Sequence, residues 1–380
     1  MHKILFVFGT RPEAIKIAPI IKELGKQTDI FQSVVCVTAQ HRHMLDQVLN
    51  LFRIHPDYDL DIMTPGQDLF DVTCQVLLGL KAVLVKEKPD MVLVHGDTTT
   101  TMAAALAAYY CSFRVGHVEA GLRTYNKFAP FPEEANRRVT SYLTDLHFTP
   151  TETTRQNLLR EGVNDEAVFV TGNTVIDALL EVSVMIDDDA VLRERLADEF
   201  SFLNPLRKLV LVTGHRRENF GKGFENICRA LSKLSELHRD VDILYPVHLN
   251  PRVREPVRYL LGKSKYDNLH LIEPVDYLSF VYLMKRSHLI ITDSGGIQEE
   301  APSLAKPVLV MREETERPEA VAAGTVKLVG ADSEMIIREA STLLTDQDAY
   351  RTMSAAKNPY GDGKAARRIV RVLRKELSEI

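Results

Sequence analysis

The chain reads as an α/β protein of two Rossmann-like domains, each a parallel sheet covered by helices. Three observations predict this. Short apolar runs rich in β-branched residues alternate with longer helical patterns along the whole sequence. The runs are continuously apolar, as strands buried on both faces must be. Polar and glycine-rich segments fall where a strand gives way to a helix, the edge at which open parallel sheets bind ligands.

In the first half the strand candidates are Ile4–Phe8, Val34–Thr38, Met91–His95, Val115–Glu119, Leu146–Thr149 and Val168–Thr171. Helical patterns lie between them, including Pro12–Leu24, Leu69–Lys86 and Thr98–Tyr110. The second half repeats the scheme with Leu209–Thr213, Ile243–Val247, Leu269–Ile272, Leu289–Thr292, Val308–Met311 and Val326–Val329. Two sets of strands imply two similar domains, 1–172 and 173–360. The boundary is set by Val170-Thr171-Gly172-Asn173, where a strand ends in turn formers and Thr174-Val175-Ile176-Asp177 opens a helix. The charged stretch Asp187–Asp198 reads as an exposed helix rather than a linker. Asn358-Pro359-Tyr360-Gly361-Asp362-Gly363 breaks the chain before a basic helix, Lys364–Leu377, and residues 361–380 are expected to cross back to the first domain.

A chain of 380 residues with 45% hydrophobic residues is long enough to bury two ordinary cores. The net charge of −5, without a long basic run, argues against a nucleic-acid surface, and 7% aromatic residues with no Trp offer no base-stacking platform. An anionic ligand must therefore be captured locally. Residues 1–9 read as a strand that begins at once, without the core or cleavage site of a signal peptide. No apolar stretch approaches the roughly 20 residues needed to cross a bilayer. Cys36, Cys74, Cys111 and Cys228 are scattered, with no C-x-x-C pair to suggest zinc or a disulfide framework. The expectation is a cytoplasmic protein with reduced thiols, bound to neither membrane nor nucleic acid.

The organising stretch is Ile290-Ile291-Thr292-Asp293-Ser294-Gly295-Gly296-Ile297-Gln298-Glu299-Glu300, an apolar strand, a polar-glycine turn and a helix start. Gly295 and Gly296 allow positive φ and close approach of backbone amides, and the helix offers unpaired N–H groups, a combination suited to a phosphate or diphosphate. Glu299 and Glu300, placed in the first turn, either complement the helix dipole or accept hydrogen bonds from sugar hydroxyls.

Other strand ends carry further candidates. Gly9-Thr10-Arg11-Pro12-Glu13-Ala14-Ile15-Lys16 follows the first strand, with Pro12 suited to the first helical position and Arg11 and Lys16 near the strand end. It lacks G-x-G-x-x-G, so a dinucleotide fingerprint is absent. In His95-Gly96-Asp97-Thr98, Asp97 is either a helix cap or a catalytic carboxylate. His117-Val118-Glu119-Ala120-Gly121-Leu122-Arg123 places a second acid at the same sheet edge, and Pro130-Phe131-Pro132-Glu133-Glu134-Ala135-Asn136-Arg137-Arg138 adds two more. Thr213-Gly214-His215-Arg216-Arg217-Glu218-Asn219 holds groups able to bind an anion, and His248 in the following turn is either structural or a contact residue. The histidines and acids lack the tight spacing of a metal site, so no metal is expected.

Together these ordered motifs resemble the non-hydrolysing UDP-N-acetylglucosamine 2-epimerases over essentially the whole chain. The resemblance implies a glycosyltransferase-B-like pair of Rossmann domains with the active site in the interdomain cleft, and a homodimer. It implies interconversion of UDP-N-acetylglucosamine and UDP-N-acetylmannosamine with no cofactor. C2 has no adjacent carbonyl, so the family breaks the C1–O bond to UDP as the C2 proton is lost. That gives 2-acetamidoglucal, which takes a proton on the opposite face as UDP returns to C1. By the same resemblance Asp97, Glu119 and Glu133 match the acid/base carboxylates and His215 the histidine at the phosphate and sugar. Arg11, Lys16, Ser294, Gly295, Gly296, Glu300 and Arg317 match substrate contacts, with Phe280 near the base and Glu300 near the ribose. Gln40, His41, Glu134, Arg216 and His248 fit the pattern of a second, activating UDP-N-acetylglucosamine. His43 and Gly66 depart from that pattern, standing where other members carry Gln and Arg.

Overall fold

The structure, a computed structural model, describes residues 1–39, 42–64, 66–262 and 266–378. The chain forms two compact units, one of Met1–Ala178 with Tyr360–Ile380 and one of Leu179–Pro359. The division falls inside the helix Thr174–Asp188, six residues beyond the boundary expected from the Gly172-Asn173 turn. Turn-forming residues mark where the strand ends; continuation of the helix carries the chain further before its packing changes.

The first unit holds a seven-stranded sheet in the order β3-β2-β1-β4-β5-β6-β7. Its strands are β1 (His2–Phe8), β2 (Phe31–Val37), β3 (Tyr58–Asp59), β4 (Met91–His95), β5 (Arg114–Val118), β6 (Leu146–Thr149) and β7 (Val168–Val170). All pair in parallel, with Phe6 level with Val35 on one side and Leu93 on the other. The two-residue β3 is the one strand absent from the sequence expectation, since two residues carry no period. β1 is buried at every position from Ile4 to Phe8, which is why its sequence is apolar without alternation.

The second unit holds six parallel strands in the order β10-β9-β8-β11-β12-β13. These are β8 (Lys208–Thr213), β9 (Val241–Pro246), β10 (Leu269–Ile272), β11 (Leu289–Thr292), β12 (Val308–Val310) and β13 (Val326–Leu328). Its core gathers Val212, Ile243 and Ile291 from the sheet with Phe224, Leu231 and Leu343 from the covering helices. The charged stretch near 190 is not one helix. Asp188 ends one helix, and Asp189 caps the next, Ala190–Glu199, by accepting from the Leu192 amide at 2.9 Å.

Each sheet reverses its strand order once, between β1 and β4 in the first unit and between β8 and β11 in the second. Such switch points open a crevice beyond the strands' carboxyl ends. The terminal helix Ala365–Ser378 belongs to the first unit and packs on the helix Arg11–Leu24. It buries Ile369, Val370, Leu373 and Leu377, each full burial contributing about 1.5–3 kcal/mol. Asp177 caps its start, accepting from the amides of Ala365 and Ala366 at 3.1 and 2.9 Å. No helix among the described residues is long and apolar enough to cross a membrane.

Candidate active site

In the first unit the turn after β1 is built on Glu13. Its carboxylate accepts from the amides of Gly9 and Thr10 at 3.0 and 2.7 Å and from the hydroxyls of Thr98 and Thr101 at 2.7 and 3.0 Å. Glu13 thus ties the turn after β1 to the turn after β4, across the switch point. Burial still raises its pKa against those donors. Gly9 is required here by close approach, because a Cβ would stand 2.0 Å from the Thr38 hydroxyl. Arg11 opens the helix, and Lys16, one turn in, is no solvated charge: its Nζ lies 2.5 Å from Glu119 Oε2.

β5 ends at Val118, one residue short of the expected end, and Glu119 follows in the left-handed region at φ +63°. That turn sends its side chain back to Lys16, while the Asn173 amide donates to the same Oε2 at 2.7 Å. His95 Nε2 lies 3.8 Å from that oxygen, and neither ring nitrogen of His95 has a hydrogen-bond partner. Burial pushes the His95 pKa down to about 4, only partly opposed by Glu119, so the ring is neutral. Behind it, burial takes His117 and His147 down to about 3.

Asp97 does not cap the helix after β4, because Thr98 does, accepting from the Thr101 amide at 3.1 Å. Asp97 instead takes a hydrogen bond of 2.6 Å from Arg137, and its backbone carbonyl accepts from Asn136 at 2.9 Å. Both partners lie on the helix Glu133–Leu143. Glu133 opens that helix with Oε2 buried and without a hydrogen-bond partner. Glu134 is fully buried and accepts from the amides of Thr124 and Tyr125 at 3.0 and 3.1 Å and from Arg137 at 3.0 Å. Burial raises its pKa, but these donors outweigh it and hold the carboxyl below its usual range.

In the second unit the corresponding centre is Asp293, fully buried at the end of β11. It accepts from the amides of His215 and Arg216 at 2.9 Å each, and the His215 ring Nδ1 lies 3.2 Å away. Burial would raise its pKa, yet the His215 contacts and both amides bring it below the ordinary carboxylate range. The His215 ring stacks on His248 at 5.5 Å between centroids, and His248 Nδ1 accepts from the Asn250 amide at 3.1 Å.

The glycine turn departs from expectation in two respects. The helix begins at Gly295, capped by Ser294 without a side-chain bond, and neither glycine has positive φ. Glu299 and Glu300 therefore lie at the end of this six-residue helix rather than in its first turn. Glu299 pairs with Arg317, and Glu300 accepts from the Tyr277 hydroxyl at 2.8 Å. Gly295 faces two cations, and Gly296 faces Glu300 and Ser294. A Cβ on Gly295 would stand 3.7 Å from the Arg216 guanidinium and 3.8 Å from that of Arg317. Arg312 braces both: it binds Glu218 beside Arg216 at 2.5 Å and Glu316 beside Arg317 at 2.6 Å. Those contacts and Arg216 overcome burial to hold Glu316 down to about 2. Phe280 is half-buried on the neighbouring helix Tyr277–Arg286.

Thus Lys16 with Glu119, Arg216 with Arg317, and His215 with His248 are brought together among the expected residues. Gln40 and His41 lie outside the described residues, and Gly66 is exposed with φ +84°. Among the described residues no group of three His, Cys, Asp or Glu side chains is disposed to hold a metal ion. The sequence reading missed Arg137, Asn173 and Asp293 as site residues. Arg137 was within reach, since it lies four residues after Glu133 on one helical face.

Two parallel α/β units, each with its polar residues gathered at a switch point, make this a protein of glycosyltransferase-B-like fold. The family model described as UDP-N-acetylglucosamine 2-epimerase matches residues 22–374. The UDP-N-acetylglucosamine 2-epimerase of Escherichia coli strain K12 is 60% identical over 372 residues, 98% of each chain. That of Campylobacter jejuni is 56% identical over 377 residues, 98% of this chain and 97% of its own. Among solved structures, the Neisseria meningitidis enzyme bound to UDP-GlcNAc is 53% identical with a TM-score of 0.92, covering 98% of this chain and 100% of its own. The Methanocaldococcus jannaschii enzyme in complex with UDP-GlcNAc and UDP is 36% identical with a TM-score of 0.80, covering 98% and 99%. The chain belongs to the UDP-N-acetylglucosamine 2-epimerase family.

Proposed function

We propose that the protein interconverts UDP-N-acetylglucosamine and UDP-N-acetylmannosamine by anti-face proton exchange at C2, through elimination of UDP and its re-addition. The observation that carries this reading is the split of chemistry between the units. The first places acids at adjacent strand ends, each held by its own donor: Asp97 by Arg137, and Glu119 by Lys16 and Asn173. Inversion needs proton carriers for two faces of C2, and fixed carboxylates supply them. The second unit turns two arginines toward Gly295, the charge a departing diphosphate requires. Asp97, Glu119 and Glu133 exchange protons in this reading, and His215, oriented by Asp293, serves the phosphate and sugar. Arg11, Lys16, Phe280, Ser294, Gly295, Gly296, Glu300 and Arg317 bind substrate. Turnover of UDP-N-acetylglucosamine in deuterated water places deuterium at C2 of the product; product formed without label overturns the elimination route. Release of free N-acetylmannosamine and UDP would instead mark a hydrolysing epimerase.

The same reading includes an activating second UDP-N-acetylglucosamine near Arg216 and His248, with Gln40 and His41. His248 stacks on His215, so a ligand there would act directly on the catalytic ring. Glu134, engaged by backbone amides, would contribute by fixing the 124–125 turn. A rate hyperbolic in substrate removes this part of the proposal. A cytoplasmic homodimer serving polysaccharide synthesis completes the reading. The dimer is supported by the helix Leu69–Glu87, which exposes Phe70, Leu78 and Val85 on the face opposite its buried stripe. Sedimentation at monomer mass would remove it.

A further inference from the structure

Asn173 lies in the turn between β7 and the helix Thr174–Asp188, and is buried. Each of its polar groups has a directed contact. The backbone amide donates to the Tyr360 carbonyl at 2.7 Å, where the chain re-enters the first unit. Oδ1 accepts from the Val175 amide at 3.1 Å, capping the helix. Nδ2 donates to Glu119 Oε2 at 2.7 Å. The two side-chain contacts lock the amide in one orientation, because rotating it by half a turn would set oxygen against carboxylate and N–H against N–H.

We infer that Asn173 is a positioning residue for Glu119, fixing its Oε2 together with Lys16 so that the carboxylate is held in one direction. The inference rests on the reading of Glu119 as a proton-transfer group. Glu119 stands in a left-handed turn with a side chain that has rotamers to lose. A single cation would fix its charge but not its direction. Two donors on one oxygen, from the helix after β1 and the turn after β7, fix both. His95 Nε2 lies 3.8 Å from the same oxygen, and the Glu119 charge also acts on the buried His117.

The bland alternative is that Asn173 only caps its helix, and Asn173→Asp separates the two. Asp keeps a cap oxygen and the backbone bond to Tyr360, but removes the donor and sets a second carboxylate against Glu119. We expect kcat for UDP-N-acetylglucosamine to fall about 10- to 100-fold with KM changed by less than about threefold, and the acid limb of kcat to move to higher pH. Asn173→Ser, which also caps, should lose kcat without the pH shift. If Asn173→Asp does not fold, Asn173→Ser alone decides. In a Glu119→Gln background, Asn173→Ser should cause no further loss in C2 deuterium exchange. Wild-type kcat in either folded variant, or losses that multiply in the double variant, overturns the inference. Should Glu119→Gln itself retain wild-type kcat, the role of Glu119 fails and the inference falls with it.

Discussion

The two units share a sheet plan and oppose each other in charge. Each gathers its polar residues at its switch point: Glu13 and Asp97 follow β1 and β4, and His215 and Asp293 follow β8 and β11. In the first unit cations hold the acids, Arg137 on Asp97 and Lys16 on Glu119. In the second the pairing runs the other way, with Asp293 holding the His215 ring and Glu218 and Glu316 holding Arg312. The difference teaches that the parallel-sheet edge prescribes a place rather than a chemistry. In the function proposed above, the acid set moves protons and the arginine set holds the anion.

The sharpest way to break this contrast is to substitute on both sides and compare kinetics. Asp97→Asn, Glu119→Gln and Glu133→Gln each remove a proton carrier while keeping shape, and should lower kcat about 10²- to 10⁴-fold with little change in KM. Arg317→Ala and Glu300→Ala should instead weaken UDP binding, measured by calorimetry, about 10- to 100-fold, the worth of a charge-assisted contact. Equal and small effects on both sides would erase the division of labour.

What sequence could supply follows the same division. Strands were legible because burial on both faces leaves continuous apolar runs, and only β3, two residues on the sheet edge, carried no pattern. Residues within a motif were legible because the strand end itself places them. Their long-range pairings were not. Arg137 reaches Asp97 across 40 residues, Asn173 reaches Glu119 across 54, and Asp293 reaches His215 across 78. Such contacts depend on strand order, which local periodicity does not encode. The glycine turn shows the same limit: glycine suggested positive φ, whereas the helix simply begins there, with Gly295 beside Arg216 and Arg317.

A second contrast concerns acid. The first unit buries His95, His117 and His147 with pKa values lowered by burial to about 4, 3 and 3. The second has His238 and His288 lowered, and among the described residues no histidine buried as deeply. An unfolded histidine titrates near 6.5, so below that pH the unfolded chain binds protons that the folded unit refuses. This stability is present above about pH 6.5 and is lost as pH falls toward 4, at about 1.4 kcal/mol per pH unit for each histidine. Glu13 and Asp177 oppose it, since burial raises both, Asp177 to about 6. Buried on the adjacent strands β4, β5 and β6, the three histidines make these strands the acid-sensitive part of the first unit. Hydrogen exchange between pH 7 and 5 should show β4, β5 and β6 losing protection before β8 and β11, and His147→Gln should reduce the difference. Loss of protection in the second unit first would reverse the contrast.

The smallest effect tests whether the second unit's braces act through orientation alone. Tyr277 donates to Glu300 Oε1 at 2.8 Å within the buried end of the Gly295–Glu300 helix. Tyr277→Phe keeps the ring and its packing and removes one hydroxyl, so the fold should lose only about 1 kcal/mol. If Glu300 meets the ribose, its loosened carboxylate should weaken UDP by about three- to tenfold, while kcat at saturation stays within about twofold because no proton carrier is touched. A fall in kcat with unchanged UDP affinity would place Tyr277 and Glu300 on the proton-transfer side, and the partition between an acid unit and an anion-binding unit would no longer hold.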